Sequence, residues 1–92
     1  MEMDEAIGLA VRRVRHEHGY SQEELAAHAD VERTYISHLE RGVRNPALST
    51  LIRITAALDL RLSRFFAIAE QIQAGRLRVP PPPPRRRPRK RR

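Results

Sequence analysis

The sequence has no cysteine and no tryptophan, and it has only two tyrosines and two phenylalanines among 92 residues. Without cysteine there is neither a disulfide framework nor a Cys-based zinc site, so we expect an intracellular protein. A chain of this length with so few aromatic residues can build one small aliphatic core. The composition therefore predicts one compact module and argues against a two-domain enzyme.

Long hydrophobic runs and catalytic patterns are also missing. No apolar stretch approaches the roughly 18 residues of a membrane span, and the acidic start, Met1-Glu2-Met3-Asp4, is unlike a signal peptide. There is no glycine-rich phosphate loop and no Ser-His-acid arrangement, so we expect no enzymatic activity and no cofactor. His16, His18 and His28 include no i, i+4 pair, so we expect surface histidines and no metal site. We therefore predict a cytoplasmic binding protein.

The positive charge is concentrated at one end of the chain. The net charge is +7, but residues 1–75 carry nine Arg against eleven acids, 9 − 11 = −2, and residues 76–92 carry nine cations and no acid. Pro80 to Pro84 are consecutive, which predicts an extended polyproline spacer before a disordered basic end. We therefore divide the chain into a body, residues 1–75, and a Pro/Arg-rich tail, residues 76–92, that stays off the core.

The apolar residues of the body recur with the period of about 3.6 that is typical of α-helices, and no segment alternates as a half-buried strand does. We therefore predict an all-α body of five helices. The expected core positions are Met3, Ile7, Ala10, Val11 and Val14 in the first helix, Tyr35, Ile36 and Leu39 in the third, Leu48, Leu51, Ile54, Thr55 and Leu58 in the fourth, and Leu62, Phe66 and Ala69 in the fifth.

The second and third helices have the spacing of a helix-turn-helix unit. Ser21 and Glu24 form a capping-box pattern at the start of the second helix, which is expected to stop near Ala29. The third helix follows after a short break. Asp30 falls in the tight turn, where a residue that tolerates positive φ is needed. Two short helices joined in this way can place the second one in the DNA major groove.

The motifs in this region resemble those of the phage-repressor-like (Cro and XRE) helix-turn-helix family. They are Ser21-Gln22-Glu23-Glu24-Leu25-Ala26, Arg33-Thr34-Tyr35-Ile36-Ser37-His38-Leu39-Glu40-Arg41-Gly42, Arg44-Asn45-Pro46 and Leu51. The match covers roughly residues 5–68. It implies a compact, lambda-repressor-like DNA-binding domain of five helices.

Four positions depart from the family pattern. Asp30 and Asp59 replace the usual Gly, and Glu32 and Arg61 replace the usual Ser N-cap. Each missing cap is expected to cost about 1 kcal/mol. Glu32 would in addition place a carboxylate near phosphates, which would lower affinity or select a base with an exposed amino group.

The polar face of the third helix contains the candidate DNA contacts. For base edges we predict Arg33, which can bind guanine through two hydrogen bonds, Thr34 against a thymine methyl, and Ser37 and His38 as hydrogen-bonding groups. Phosphate contacts are predicted for Gln22, from the resemblance, and for Tyr35, Arg41 and Arg44.

The fifth helix has more apolar residues than its packing on the body requires. Phe65, Ile68 and Ile72 are expected to remain on an adjoining flank, where a second copy of the chain would cover them. Two copies related by a two-fold axis would set their recognition helices roughly 34–36 Å apart, as a palindromic operator requires.

The sequence thus predicts a homodimeric, sequence-specific transcription regulator of double-stranded DNA. Family members of this size include restriction-modification controller proteins, antitoxins and phage or plasmid repressors. Two alternatives stay open at this point: an antitoxin-like module that binds a toxin or a transcription-machinery protein with DNA binding secondary, and a non-specific nucleic-acid binder driven by the tail.

Overall fold

The computed structural model describes residues 1–43 and 45–81, which form five α-helices. They are α1 (Met3–His18), α2 (Gln22–Ala29), α3 (Arg33–Glu40), α4 (Leu48–Ala57) and α5 (Leu62–Gln73). Over these ranges there is no strand, which confirms the all-α prediction. None of these helices has the length and apolar character needed to cross a membrane.

The start and end of α2 follow the local signals in the sequence. The Ser21 hydroxyl accepts from the Glu24 N–H at 3.0 Å, and the Glu24 carboxylate accepts from the Ser21 N–H at 2.8 Å. This reciprocal capping box satisfies two backbone donors that the first turn would leave unpaired. The helix ends at Asp30, which adopts the left-handed conformation with φ 58°. Asp59 does the same after α4, with φ 54°.

The core lies where α1 packs against α5 and α3, and where α2 packs against α3 and α4. Its buried apolar side chains are Ala6, Ala10, Val11, Val14, Leu25, Ala26, Ala29, Ile36, Leu39, Leu51, Ile54, Leu58, Phe65, Ala69 and Ile72. Most of the predicted core positions are therefore confirmed. Leu48 is an exception, because as the first residue of α4 it lies at the edge of the helix pack and is 60% exposed.

The predicted division of α5 between core and flank is wrong for two residues. Phe65 is completely buried and Ile72 nearly so, and together with Ala69 they form the row that faces the core. Phe66 and Ile68 are half-buried beside this row. The helix has apolar residues over more than half of its circumference, so periodicity alone left the direction of the core undecided by about one residue.

The chain after α5 stays close to the body. Leu77 and Val79 pack against the core, and the Arg13 guanidinium donates to the carbonyl oxygen of Arg78. The prediction that the tail stays off the core from residue 76 onward is therefore wrong for these residues. Two apolar side chains separated by one residue can face the same way from an extended segment, so they can cover one strip of the body. The predicted basic end beyond Pro81 lies outside the described residues.

The crossing of α1 and α3 depends on the absence of a side chain at Gly8. A Cβ atom built on Gly8 would lie 2.0 Å from the carbonyl oxygen of Leu39 and 3.1 Å from its carbonyl carbon. Both are backbone atoms at the end of α3, so no rotamer change can relieve the overlap. Gly8 therefore sets how closely α1 can approach the end of α3.

We predict that Gly8→Ala destabilises the protein by about 3 kcal/mol, because the two helix backbones would have to separate. Helix propensity alone has the opposite sign and favours alanine by about 1 kcal/mol. Thermal unfolding followed by circular dichroism measures the difference. Gly19→Ala is the matched control, since Gly19 has φ 84° but a Cβ there meets nothing within 4 Å. Its expected loss is about 1–2 kcal/mol, and a Gly8→Ala protein as stable as the parent would contradict the prediction.

Candidate nucleic-acid interface

The helix α3 has one buried face and one accessible face. Ile36 and Leu39 are completely buried. Arg33 and Thr34 are exposed at the first turn, and the half-buried Ser37 and His38 follow along the helix. The four predicted base-contact residues therefore remain accessible while Ile36 and Leu39 fix the helix to the core. An accessible first turn is the part of a recognition helix that reaches base edges.

A cleft of about 330 Å³ lies between α3 and α4. Its lining residues are Val31, Glu32, Thr34, Tyr35, His38, Thr50 and Arg53. Tyr35 is half-buried and packs on the core, which confirms it as a packing residue. Sequence reasoning missed Thr50 and Arg53, because α4 was considered only for its apolar face. The exposed Arg53 adds a cation to the side of the cleft opposite α3.

Glu32 lies at the N-terminal end of α3 and is exposed. Its side chain makes no capping hydrogen bond, although the residue has the extended backbone of an N-cap. The carboxylate borders the cleft and faces solvent instead of satisfying the first turn. It can therefore meet a ligand that approaches α3, as the sequence led us to expect.

The predicted phosphate contacts have different surroundings. Arg41 is exposed directly after α3. Gln22 is half-buried at the start of α2, and its side-chain amide donates to Glu40 Oε1 at 3.1 Å. Gln22 therefore has a structural partner in addition to the predicted role, and an amide nitrogen carries a second hydrogen for another acceptor. Arg44 lies outside the described residues.

A buried ion-pair cluster holds the C-terminal end of α3. Arg15 donates to both carboxylate oxygens of Glu40, with Nε–Oε2 2.5 Å and Nη2–Oε1 3.0 Å, and its Nη1 donates to the Tyr20 carbonyl oxygen at 2.8 Å. Arg12 Nε lies 3.6 Å from Glu40 Oε1. The side chains of Arg12, Arg15 and Glu40 are at most 8% exposed. Two cations face one carboxylate here, so the cluster joins α1, α2 and α3 electrostatically.

Sequence reasoning missed this cluster because charged residues are usually exposed. A signal was present in the spacing, since Gly8, Arg12 and Arg15 recur at i, i+4 and i+7 and therefore share one face of α1. A glycine on that face indicates close contact with another element. Arginines beside such a glycine must then find a buried partner.

The comparisons with known proteins agree with this geometry. A family model described as Helix-turn-helix matches residues 11–65, a range that includes α2, α3 and α4 completely. The chain belongs to the phage-repressor-like (Cro/XRE) helix-turn-helix family. It is accordingly a helix-turn-helix transcription regulator, as the motifs led us to expect.

Two proteins similar in sequence are regulators. An uncharacterized HTH-type transcriptional regulator, y4dJ of Sinorhizobium fredii, is 41% identical over 60 residues, which are 65% of this chain and 78% of that protein. The control protein C.BamHI of Bacillus amyloliquefaciens is 44% identical over 55 residues, 59% of this chain and 68% of that protein.

A solved structure has the same fold. The restriction-modification controller protein C.Esp1396I, solved as a tetramer in complex with its natural 35 base-pair operator, is similar with TM-score 0.72 and 30% identity. The similarity covers 77% of this chain and 93% of that one.

We predict that Glu40→Gln destabilises the protein by about 3–5 kcal/mol, because two buried arginines would lose their shared counter-charge. Glu17→Gln is the matched control: Glu17 pairs with Arg13 at 3.1 Å but is half exposed, and its loss should be at most about 0.5 kcal/mol. Urea denaturation of both variants measures the two losses. Equal losses would show that Glu40 acts as an ordinary hydrogen-bonding group and not as a buried charge.

Proposed function

We propose that this regulator binds a two-fold operator in double-stranded DNA as a homodimer, with α3 in the major groove. The observation that carries the proposal is the accessible polar face of α3, fixed to the core by Ile36 and Leu39. The protein would then act in the cytoplasm, on nucleoid DNA.

Each accessible residue of α3 has a role in this proposal. Arg33 has the exposure and the planar donor group needed to bind guanine O6 and N7 together. Thr34 offers a methyl group to thymine, and Ser37 and His38 offer hydrogen-bonding groups to base edges farther along the groove. Glu32 beside them would accept from a cytosine amino group, or repel the backbone where no such group is present.

The phosphate contacts would lie at both ends of the helix-turn-helix unit. Gln22 is at the N-terminal end of α2, where the helix dipole favours an anion. Arg41 follows α3, and Arg53 lies across the cleft from it. These groups would set the register of the protein on the duplex without reading sequence.

Variants of a related protein support the choice of the first turn of α3. For C.Esp1396I, solved variants carry substitutions at three consecutive residues, an Arg, a Thr and a Tyr. The present chain has the same three residue types in the same order, Arg33, Thr34 and Tyr35, at the start of α3.

The proposed dimer uses the surface of α5 that its own core leaves accessible. Leu62 and Phe66 are half-buried on one side of the core-facing row, and Ile68 is half-buried on the other. Phe65 and Ile72, which the sequence had suggested for this interface, are withdrawn from it because the monomer buries them. Self-association is also the state named for C.Esp1396I, which was solved as a tetramer on its operator.

We predict that Arg33→Ala lowers affinity for the selected operator by about 1–3 kcal/mol and relaxes preference at one base pair in each half-site. Arg41→Ala is the control, since removal of a phosphate-binding cation should weaken all sequences alike. Binding-site selection followed by titration with each variant measures both effects. An unchanged selected sequence and affinity for Arg33→Ala would remove this residue from the reading surface.

We predict that Phe66→Asp or Ile68→Asp converts the dimer to a monomer that keeps its helices. A buried carboxylate at a two-fold contact would meet its own copy, and both the burial and the like charge oppose pairing. Ala67→Asp, on the exposed face of the same helix, is the control and should stay dimeric.

Sedimentation equilibrium gives the oligomeric state of these variants, and circular dichroism gives their helix content. Ile72→Asp is unsuitable for this test because it would unfold the core. If both Phe66→Asp and Ile68→Asp stayed dimeric, the interface would lie elsewhere than on α5.

A further inference from the structure

The chain between residues 76 and 80, here called the strap, is held against α1 by three kinds of contact. The side chains of Leu77 and Val79 pack on the core. The carbonyl oxygen of Arg78 accepts from Arg13, and that of Pro80 accepts from Arg12 Nη1 at 3.5 Å. The end of the strap therefore has a defined place on the body.

That place is beside the C-terminal end of α3, because one guanidinium contacts both. Arg12 donates through Nη2 to the carbonyl oxygen of Glu40 at 3.0 Å, and through Nη1 to Pro80. A small cleft of about 140 Å³ at this junction is lined by Arg12, Glu40, Arg41 and Gly42, together with Glu5 and Leu9. The strap thus ends close to Arg41, the residue that follows the recognition helix.

The sequence beyond the strap is strongly cationic. Residues 85–92, here called the basic end, contain seven Arg and Lys and no acid, and four prolines, Pro81 to Pro84, separate them from the strap. The body, in contrast, has a net charge of −2. An extended chain gains at most about 3.3–3.6 Å per residue, so the eleven residues after Pro81 reach at most ~40 Å, about one turn of DNA.

We propose that the strap fixes the origin of the basic end beside α3, so that its cations bind the DNA backbone next to the half-site that the same α3 reads. This inference rests on the proposed function and adds a second DNA-binding element to it. The net negative charge of the body supports the choice of DNA as the ligand, since phosphate attraction must then come chiefly from outside the body.

The first test is the salt dependence of operator binding in two full-length variants and their combination. In the neutral-end variant, all seven cations of residues 85–92 are changed to Gln. In the loose-strap variant, Leu77→Ser and Val79→Ser remove the apolar contacts and keep the charge. Ala67→Ser with Ala74→Ser, at two exposed positions of the same region, is the matched control for the serine pair.

The neutral-end variant should select the same operator, and its slope of log affinity against log salt should be shallower by about 0.9 for every phosphate that the basic end no longer neutralises. The loose-strap variant should weaken binding about threefold or more when the basic end is charged, and much less when it is neutral. An unchanged salt slope would overturn the proposal. Equal effects of the loose strap in both backgrounds would overturn it too, because the strap would then act on the body alone.

The absence of cysteine permits a direct test of position. Arg85→Cys introduces a single thiol, to which an iron-EDTA cleavage reagent is attached, and the labelled full-length protein is bound to the operator. Cleavage should be confined to one backbone segment beside each half-site, and the loose strap should spread it along the duplex. Cleavage equally spread with the native strap would overturn the proposal.

Failure of the proposed function would give a different result. If the neutral-end variant selected no sequence at all, the body would not be a sequence-specific DNA reader, whatever the basic end binds. A specific neutral-end protein without coupling between strap and basic end would leave the function in place and remove only the inference.

Discussion

The contact between Arg15 and Glu40 is the interaction on which the position of α3 depends. A carboxylate completely removed from water is costly unless its charge and lone pairs are satisfied. Here Arg15 donates to both oxygens, Gln22 donates to one of them, and Arg12 binds the carbonyl group of the same residue. The end of α3 is therefore joined to both α1 and α2 by directional bonds, in addition to apolar packing that alone would allow small rotations.

This arrangement links the proposed phosphate contacts to the buried charges. Gln22 uses one amide hydrogen on Glu40, so a phosphate bound by the other would be registered against the same carboxylate that orients α3. Close packing at Gly8 limits the remaining freedom, because α1 cannot move toward Leu39 without backbone overlap. Positioning of the candidate reading residues thus begins in α1, which itself carries none of them.

Much of the fold could be predicted from the sequence, for local reasons. The capping box at Ser21 and the left-handed Asp30 and Asp59 depend on few neighbouring residues, and the structure confirms them. The orientation of α5 was mispredicted at Phe65, because a broad apolar band defines the direction of the core poorly. The surface of α3 followed from its narrow apolar stripe. The partners of Glu40 are 25 and 28 residues away along the chain, and no local pattern names them.

The buried cluster also changes the electrostatic potential that the body presents to an approaching polyanion. Residues 1–75 contain nine Arg and eleven acids, and Arg12, Arg15 and Glu40 are enclosed, which leaves 9 − 2 = 7 cations against 11 − 1 = 10 carboxylates, a net −3. At distances beyond a Debye length of about 10 Å the body alone would repel a duplex slightly. Encounter rates with DNA would then be governed by the cationic end of the chain, whereas residence time on a site would be governed by α3.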